Sequence, residues 1–180
     1  ALLHVARVIT EAAEVSAAGV AFVKPEIDLE RLRAWKDEVI AKLGGGVGQL
    51  AEARSVRTVV ARGTLLDEHT LELTTANGES SRLSFDQLIL ATGSVPVWPS
   101  PLVVESSLVM DSAGALELPD VPERMLVVGG GYIGLEMGTV YAALGSRVTV
   151  VEMAESLLPG VDGDLVRPLH RSLSERFESI

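Results

Sequence analysis

The 180-residue chain contains no cysteine, which excludes disulfides, thiolate metal sites and thiol catalysis among its own residues. Aromatic residues make up only 4% of the chain, so its core must consist mainly of aliphatic side chains. No apolar run reaches the roughly 18–20 residues that a membrane-spanning helix requires. Glu11 and Glu14 lie where a signal peptide needs an apolar region. We therefore expect a cytoplasmic protein that has no membrane partner.

Basic residues are scarce as well. The chain has 15 Lys and Arg residues against 25 Asp and Glu residues, a net charge of −10. Such a surface repels a phosphate backbone, and no basic cluster compensates for it, so we predict no nucleic-acid partner. His4, His69 and His170 are isolated in the sequence, and we interpret them as surface or packing residues. We predict no metal site and no catalytic acid, base or nucleophile in this chain.

The first third of the sequence has helical periodicity. We predict one helix over residues 1–18 and a second that begins after Asp28 and ends near Leu43. The triplet Gly44–Gly46 is expected to interrupt the second helix as a flexible break, the alternative being a phosphate-binding nest. Helical character resumes over Val47–Ala53. We expect Lys36 to face water opposite a buried stripe formed by Leu29, Leu32, Trp35, Val39, Ile40 and Leu43.

The periodicity changes to that of strands after Val56. Three short strands are predicted at Val56–Ala61, Thr70–Thr74 and Ser80–Ser84, and the Asn77-Gly78 turn makes them an antiparallel meander. The apolar run Leu88–Ala91 is typical of a strand buried on both faces. A proline-containing linker follows over residues 95–122, with a short helix predicted at Asp111–Leu116. The composition and element pattern together predict an α/β fold.

The most informative pattern is a strand–helix–strand unit. We predict a strand at Met125–Val128, a helix at Gly131–Leu144 and a strand at Arg147–Val151 that ends at Glu152. A further helix is predicted over Asp162–Phe177. In the turn between the first strand and its helix, a G-x-G-x-x-G pattern is formed by Gly129, Gly131 and Gly134. This context is what a dinucleotide-binding turn requires.

Each residue of this turn has a predicted physical role. Gly129 permits the tight turn, Gly131 lets a pyrophosphate approach the backbone, and Gly134 allows the helix to pack closely on the sheet. The helix N-terminus offers unpaired N–H groups to the phosphates. Glu152 is expected to bind the ribose hydroxyls, and the absence of a cation in Met153–Glu155 favours NAD over NADP. The alternative is a glycine-rich turn that serves packing alone.

Four stretches of the chain resemble the flavin-dependent pyridine nucleotide–disulfide oxidoreductases, and in particular their dihydrolipoamide dehydrogenase branch. These stretches are Ala1–His4, Asp28–Leu50, Leu88–Ser94 and Val121–Glu136. The resemblance covers the whole chain. It implies an internal fragment of a flavoprotein with two Rossmann-like domains, in which residues 1–120 are the central part of the FAD-binding domain and residues 121–180 are the first half of the NAD-binding domain. The family's cysteine pair and its C-terminal His–Glu pair are absent from the sequence.

The resemblance also implies roles for individual residues. FAD would be contacted by Ala61, Thr92, Gly93 and Ser94. NAD would be held by Gly129, Gly130, Gly131, Tyr132, Ile133, Gly134, Glu136 and Glu152, with Tyr132 and Glu136 toward the nicotinamide. A packing role for Tyr132 and a helix-dipole role for Glu136 stay open as alternatives.

The implied activity is oxidation of dihydrolipoamide through an enzyme disulfide and FAD, with hydride passed to NAD⁺. The implied partners are the lipoyl domain of a 2-oxo acid dehydrogenase complex and a second copy of the enzyme in a homodimer. The alternatives within the same superfamily are a mercuric reductase, a soluble transhydrogenase and a glutathione-reductase-like enzyme. An alternative of another class is a non-catalytic NAD-binding module.

Overall fold

The computed structural model describes residues 1–99 and 102–180 and has the predicted α/β architecture. The chain divides into two compact units, one formed by Ala1–Ile40 with Pro96–Ile180 and the other by Ala41–Val95. The predicted domains 1–120 and 121–180 stay a prediction. In the part of the chain that the structure describes, no helix combines the length and apolar content needed to cross a membrane.

Five helices and five strands are described in chain order. They are α1 (Leu2–Glu14), α2 (Leu29–Ala53), β1 (Arg62–Leu65), β2 (Thr70–Thr74), β3 (Ser80–Ser84), α3 (Ser112–Leu116), β4 (Arg124–Val128), α4 (Tyr132–Leu144), β5 (Arg147–Val151) and α5 (Gly163–Ser174). A 3₁₀ turn at Val15–Ala18 extends α1, and Gly19 ends it with φ of 89°, which confirms the predicted helix over residues 1–18.

Helix α2 begins where predicted but does not break at the glycine triplet. Asp28 Oδ1 accepts a hydrogen bond of 3.0 Å from the Arg31 N–H and so caps the first turn. The helix then runs through Gly44–Gly46 to Ala53, so the predicted interruption and the alternative phosphate nest are both wrong. Each glycine inside a helix costs about 1 kcal/mol relative to alanine, so the triplet costs about 3 kcal/mol, and the helix continues through it despite that cost.

The predicted burial of α2 is also partly wrong. Trp35, Ile40 and Leu43 are 38%, 59% and 67% exposed, whereas Lys36 is only 5% exposed. Periodicity placed Lys36 in water because the sequence does not reveal which distant carbonyl groups will pack against the helix.

The second unit contains the predicted antiparallel meander. Strands β2 and β3 have the predicted bounds and pair in register, with Leu71 opposite Leu83. The first strand lies at Arg62–Leu65 rather than at Val56–Ala61. The Leu66 N–H donates to the Thr70 carbonyl at 2.9 Å, so the short hairpin loop sets the register. Because Arg62 already pairs with Thr74, the last residue of β2, residues 56–61 extend past the end of their partner strand.

The predicted strand at Leu88–Ala91 is wrong. These residues have no regular secondary structure, and the side chains of Leu88, Ile89 and Leu90 are 40%, 89% and 69% exposed. A strand that is buried on both faces needs neighbouring strands. Among residues 1–99 and 102–180, no strand pairs with this run.

The first unit contains the predicted strand–helix–strand unit, and its two strands are parallel. Strands β4 and β5 pair in register from Arg124 with Arg147 to Val128 with Val151, and α4 is the crossover between them. A further stretch starts alongside β5, where the Glu178 N–H donates to the Val148 carbonyl at 2.8 Å. Helix α4 packs its buried face on this sheet. A Cβ at Gly138 would lie 3.0 Å from the ring of Phe177 and 3.3 Å from Val148 Cγ1, so the close contact requires glycine.

Candidate dinucleotide-binding site

The chain turns sharply at the carboxyl end of β4. Gly129 has φ of +109°, a conformation that side chains other than glycine's rarely adopt. Its N–H donates to the Val151 carbonyl at 2.8 Å. The turn therefore stays attached to the end of β5 while it redirects the chain into α4.

Gly131 has open space above its α-carbon. A Cβ there would meet no atom within 4 Å, and its φ of −75° is accessible to any residue. Neither the backbone conformation nor internal packing therefore requires glycine at this position. An exposed backbone of this kind leaves room for a ligand to approach the main chain closely.

The N-terminus of α4 has the features of an anion-binding site. Its N-cap is Gly131, which supplies no side-chain cap, and the first backbone N–H groups of a helix lack intrahelical acceptors. The helix dipole adds a partial positive charge at the same place. No acidic residue lies in the first turn, so no carboxylate side chain of that turn competes for these donors.

Gly134 is required by packing rather than by an open approach. A Cβ at this position would lie 2.5 Å from the Gly129 carbonyl oxygen and 3.0 Å from Val127 Cγ1. The first turn of α4 therefore contacts the turn that precedes it. The geometry of Gly129, Gly131 and Gly134 fits the three roles that the sequence predicted for them.

Gly130 has a role that the sequence analysis missed. Its N–H donates to Glu152 Oε2 at 2.6 Å, and its carbonyl accepts from the Leu158 N–H at 2.9 Å. A Cβ there would lie 2.5 Å from Leu157 Cδ2. Gly130 thus holds both ends of the segment 152–158. The only sequence signal was that Gly130 lies between two glycines of the G-x-G-x-x-G pattern, which does not itself require glycine at that position.

Glu152 is held in place by the main chain. Besides the bond from Gly130, its Oε1 accepts from the Ala154 N–H at 2.8 Å. The hydrogen bond from Ala154, followed by that from Gly130, lowers the pKa of the Glu152 carboxyl below its ordinary value, so the side chain is ionised at neutral pH. A carboxylate has about four acceptor positions, which leaves capacity to bind hydroxyl groups.

Tyr132 and Glu136 lie one turn apart on α4. Tyr132 is 67% exposed, and both side chains line a cleft of about 220 Å³ whose other walls are Leu3, Leu135, Thr139, Leu158, Leu169 and Leu173. The structure therefore brings these two predicted residues together at an apolar cleft beside the glycine turn. Ile133, the other non-glycine residue of the turn, is 45% exposed.

The four residues predicted to contact FAD lie in the second unit. Ala61 immediately precedes β1, and Thr92–Ser94 lie in an exposed segment without regular secondary structure. Gly93 has φ of +78° and open space at its Cβ position. These observations are compatible with a close backbone approach at Gly93, but by themselves they do not identify the ligand.

Comparisons with known proteins identify the family of the chain. A sequence profile described as pyridine nucleotide-disulphide oxidoreductase matches residues 1–176. Dihydrolipoyl dehydrogenases of Haemophilus influenzae and Vibrio parahaemolyticus are 44% and 41% identical to the chain over 99% of its length. The chain spans 37% of the length of these two relatives.

A solved structure of LpdA from Mycobacterium tuberculosis matches 99% of the chain with a TM-score of 0.79 and 24% identity, over 40% of that protein. The flavoprotein disulfide reductase RclA from Escherichia coli, solved as a cysteine-to-serine mutant in complex with Cu(II), matches with a TM-score of 0.73 and 24% identity, over 37% of that chain. At this level of identity the two structures bear on the fold alone.

Proposed function

Because the chain belongs to the pyridine nucleotide-disulphide oxidoreductase family, we propose that it carries the NAD-binding turn of a dihydrolipoyl dehydrogenase. One observation supports the nucleotide site above all others. Gly131 has an open backbone at the uncapped N-terminus of α4, where neither strain nor packing explains a glycine. The choice of dihydrolipoyl dehydrogenase within the family is supported by the names of the relatives.

The residues of the turn fit a dinucleotide. The amides at the start of α4 would bind the pyrophosphate, and the remaining acceptor positions of Glu152 would bind the adenosine ribose. Since Glu152 is ionised and is followed by Met153, Ala154 and Glu155, a 2′-phosphate would meet negative charge without a cation to balance it. We therefore assign NAD rather than NADP. Tyr132 and Glu136 would lie toward the nicotinamide.

The FAD contacts at Ala61 and Thr92–Ser94 rest on the family resemblance and on the open backbone at Gly93. When bound, FAD and NAD would supply the redox chemistry, while these residues bind and orient them. The chain contains no cysteine, so the disulfide that dihydrolipoamide reduces would come from residues other than these 180. The finer assignments proposed with this function are the domains 1–120 and 121–180, a lipoyl-domain partner, a homodimer and a cytoplasmic location.

Calorimetric titration of the chain, with NADH and separately with NADPH, tests the nucleotide site. NADH should bind and NADPH should bind more weakly. In Glu152→Gln the difference should shrink, whereas in the control Glu68→Gln, at an exposed position of the second unit, it should persist. Absence of NADH binding would reject the site, and equal binding of the two nucleotides would reject the assignment of NAD. The substrate is tested separately in the complete gene product that contains these residues, where dihydrolipoamide should reduce NAD⁺. Turnover of mercuric ion or of glutathione disulfide instead would favour the other superfamily members.

A further inference from the structure

The turn at residues 115–119, which leads from α3 toward β4, is strained, and two of its residues, Ala115 and Leu118, are buried. Leu118 has φ of +50°, a left-handed conformation that costs free energy for a residue with a side chain. The Leu118 side chain is completely buried. Such a conformation persists only when the surrounding structure holds it in place, so the groups that contact this turn determine its geometry.

Two cations from α2 hold the carbonyl groups of this turn. Arg33 Nη1 donates to the Leu118 carbonyl at 2.8 Å and to the Pro119 carbonyl at 3.3 Å. Lys36 Nζ donates to the Leu116 carbonyl at 3.1 Å. Arg33 and Lys36 are three residues apart, and therefore lie on one face of the helix. We call Arg33 and Lys36 the carbonyl clamp.

Lys36 is unusually buried for a lysine. Its side chain is only 7% exposed, and its ammonium group lies 3.3 Å from Asp37 Oδ1 and 3.6 Å from Glu117 Oε2. Lysine is rarely buried unless its charge is paired. The two carboxylates balance the charge of Lys36, and the hydrogen bond to the Leu116 carbonyl fixes the position of its ammonium group.

Helix α4 holds the same turn from another side. The Tyr141 hydroxyl donates to the Ala115 carbonyl at 3.0 Å, and Tyr141 has no exposed surface. Tyr141 lies nine positions after Tyr132, the first residue of α4, a distance of about 14 Å along a helix. A helix over this distance behaves as a stiff rod, so a tilt at Tyr141 displaces the amides at its N-terminus.

We propose that the carbonyl clamp positions the NAD-binding turn. Arg33 and Lys36 fix the turn at 115–119, the turn fixes the Tyr141 end of α4, and α4 presents its N-terminal amides at a set angle. Arg33 and Lys36 contact no nucleotide in this scheme and are positioning residues. The inference rests on the proposed function, because it assigns the clamp to the nucleotide site proposed above.

Variants that keep the apolar stem but remove the charge test the clamp. Lys36→Met and Arg33→Met in the full chain should each weaken NADH binding about fivefold, because a smaller fraction of molecules holds the competent angle. Arg31→Met, an exposed position on the same helix, is the matched control and should bind as the original chain does. Arg33→Lys, which keeps a donor, should restore part of the affinity. Binding is measured at about 10 °C, below the range in which mesophilic domains unfold, and circular dichroism verifies that each variant is folded.

A measurement without ligand distinguishes an effect of the clamp on the position of α4 from an effect on the stability of the chain. In ¹⁵N spectra of the unliganded variants, the amide signals of Gly131 and Tyr132 should shift, whereas the Arg31→Met spectrum should not change there. Unchanged NADH affinity and unchanged signals in folded variants would overturn the clamp and leave the proposed function intact. If the original chain itself fails to bind NADH, the proposed function fails. The amide shifts of the unliganded variants then still show whether the carbonyl clamp positions the N-terminus of α4. Should Lys36→Met not fold, Arg33→Met, at a less buried position, decides the outcome.

Discussion

Replacing Gly131 by alanine separates a ligand-binding role from a folding role. The added Cβ would meet no protein atom within 4 Å, and the backbone angles of Gly131 suit alanine. Alanine restricts the unfolded chain more than glycine does, but it is a poorer N-cap residue. These two effects oppose each other, so the free energy of unfolding should change by less than about 1 kcal/mol.

The same methyl group would occupy the space through which a pyrophosphate approaches the backbone. Forcing an extra methyl group into a well-packed contact typically costs about 1–3 kcal/mol, which corresponds to about a 5-fold to 150-fold increase in the dissociation constant. Calorimetric titration with NADH measures this increase, and urea denaturation of the same samples measures the free energy of unfolding. We expect a large loss of affinity and a small change in stability.

Gly134→Ala is the matched control, because its Cβ would lie 2.5 Å from the Gly129 carbonyl oxygen. This variant should lose about 1–3 kcal/mol of stability together with its affinity. If Gly131→Ala bound NADH as tightly as the original chain, the open backbone would not be the seat of the pyrophosphate. If Gly131→Ala unfolded, the space above Gly131 would not be open in the folded protein.

Three further predictions follow from individual contacts. Because hydrogen bonds from the Ala154 and Gly130 N–H groups lower the pKa of the Glu152 carboxyl below its ordinary value, the carboxyl loses its charge only as the pH falls through this lowered pKa. NADH affinity, measured by calorimetry, should therefore stay constant from about pH 8 to about pH 5 and decline only in more acidic buffer. Tyr141→Phe leaves the Ala115 carbonyl without its hydroxyl donor and should lower the free energy of unfolding in urea by about 1–2 kcal/mol, whereas Tyr132→Phe on the exposed side of α4 should change it little. Gly45 lies in the middle of the uninterrupted helix α2, and its Cβ position has no atom within 4 Å. Gly45→Ala should therefore raise the free energy of unfolding by about 0.5–1 kcal/mol. An unchanged or lower free energy of unfolding in urea would mean that this helix bends or breaks at the triplet in solution.

The sequence predicted the strand–turn–helix geometry around Gly129–Gly134 well because its signals are local. The bounds of β5 and the end of α4 follow from residues that are neighbours in the chain, and the spacing between Gly129 and Glu152 carries the pattern of the whole unit. The hairpin between β2 and β3 was predicted for the same reason, since Asn77-Gly78 marks a turn locally, and Gly78 adopts a left-handed φ of 85° there.

The wrong predictions share a dependence on distant contacts. Leu88–Ala91 has the composition of a buried strand, but whether it forms a strand depends on neighbours that the run itself does not specify. The first strand of the meander was displaced because its register is set by pairing with Thr70–Thr74 rather than by its own apolar residues. Lys36 was placed in water because its acceptor, the Leu116 carbonyl, lies 80 residues away in the chain.

The residues of the proposed site were chosen from the sequence, whereas the contacts that hold them in place were not predicted. Glu152 was identified from its position after β5, but its bond to the Gly130 N–H is visible only in three dimensions. The same holds for Leu157, which lies over Gly130 and is 3% exposed. Such supports come from packing between segments, and no short-range pattern in the sequence encodes them.

A titration of the ¹⁵N-labelled chain with NADH tests the central claim most directly. If the amides at the start of α4 bind the diphosphate, the largest shift changes should occur at Gly129–Gly134 and at Glu152, and inorganic pyrophosphate should reproduce those at Gly131 and Tyr132 alone. Saturable binding of NADH with shift changes elsewhere, and none at Gly131, would contradict the account.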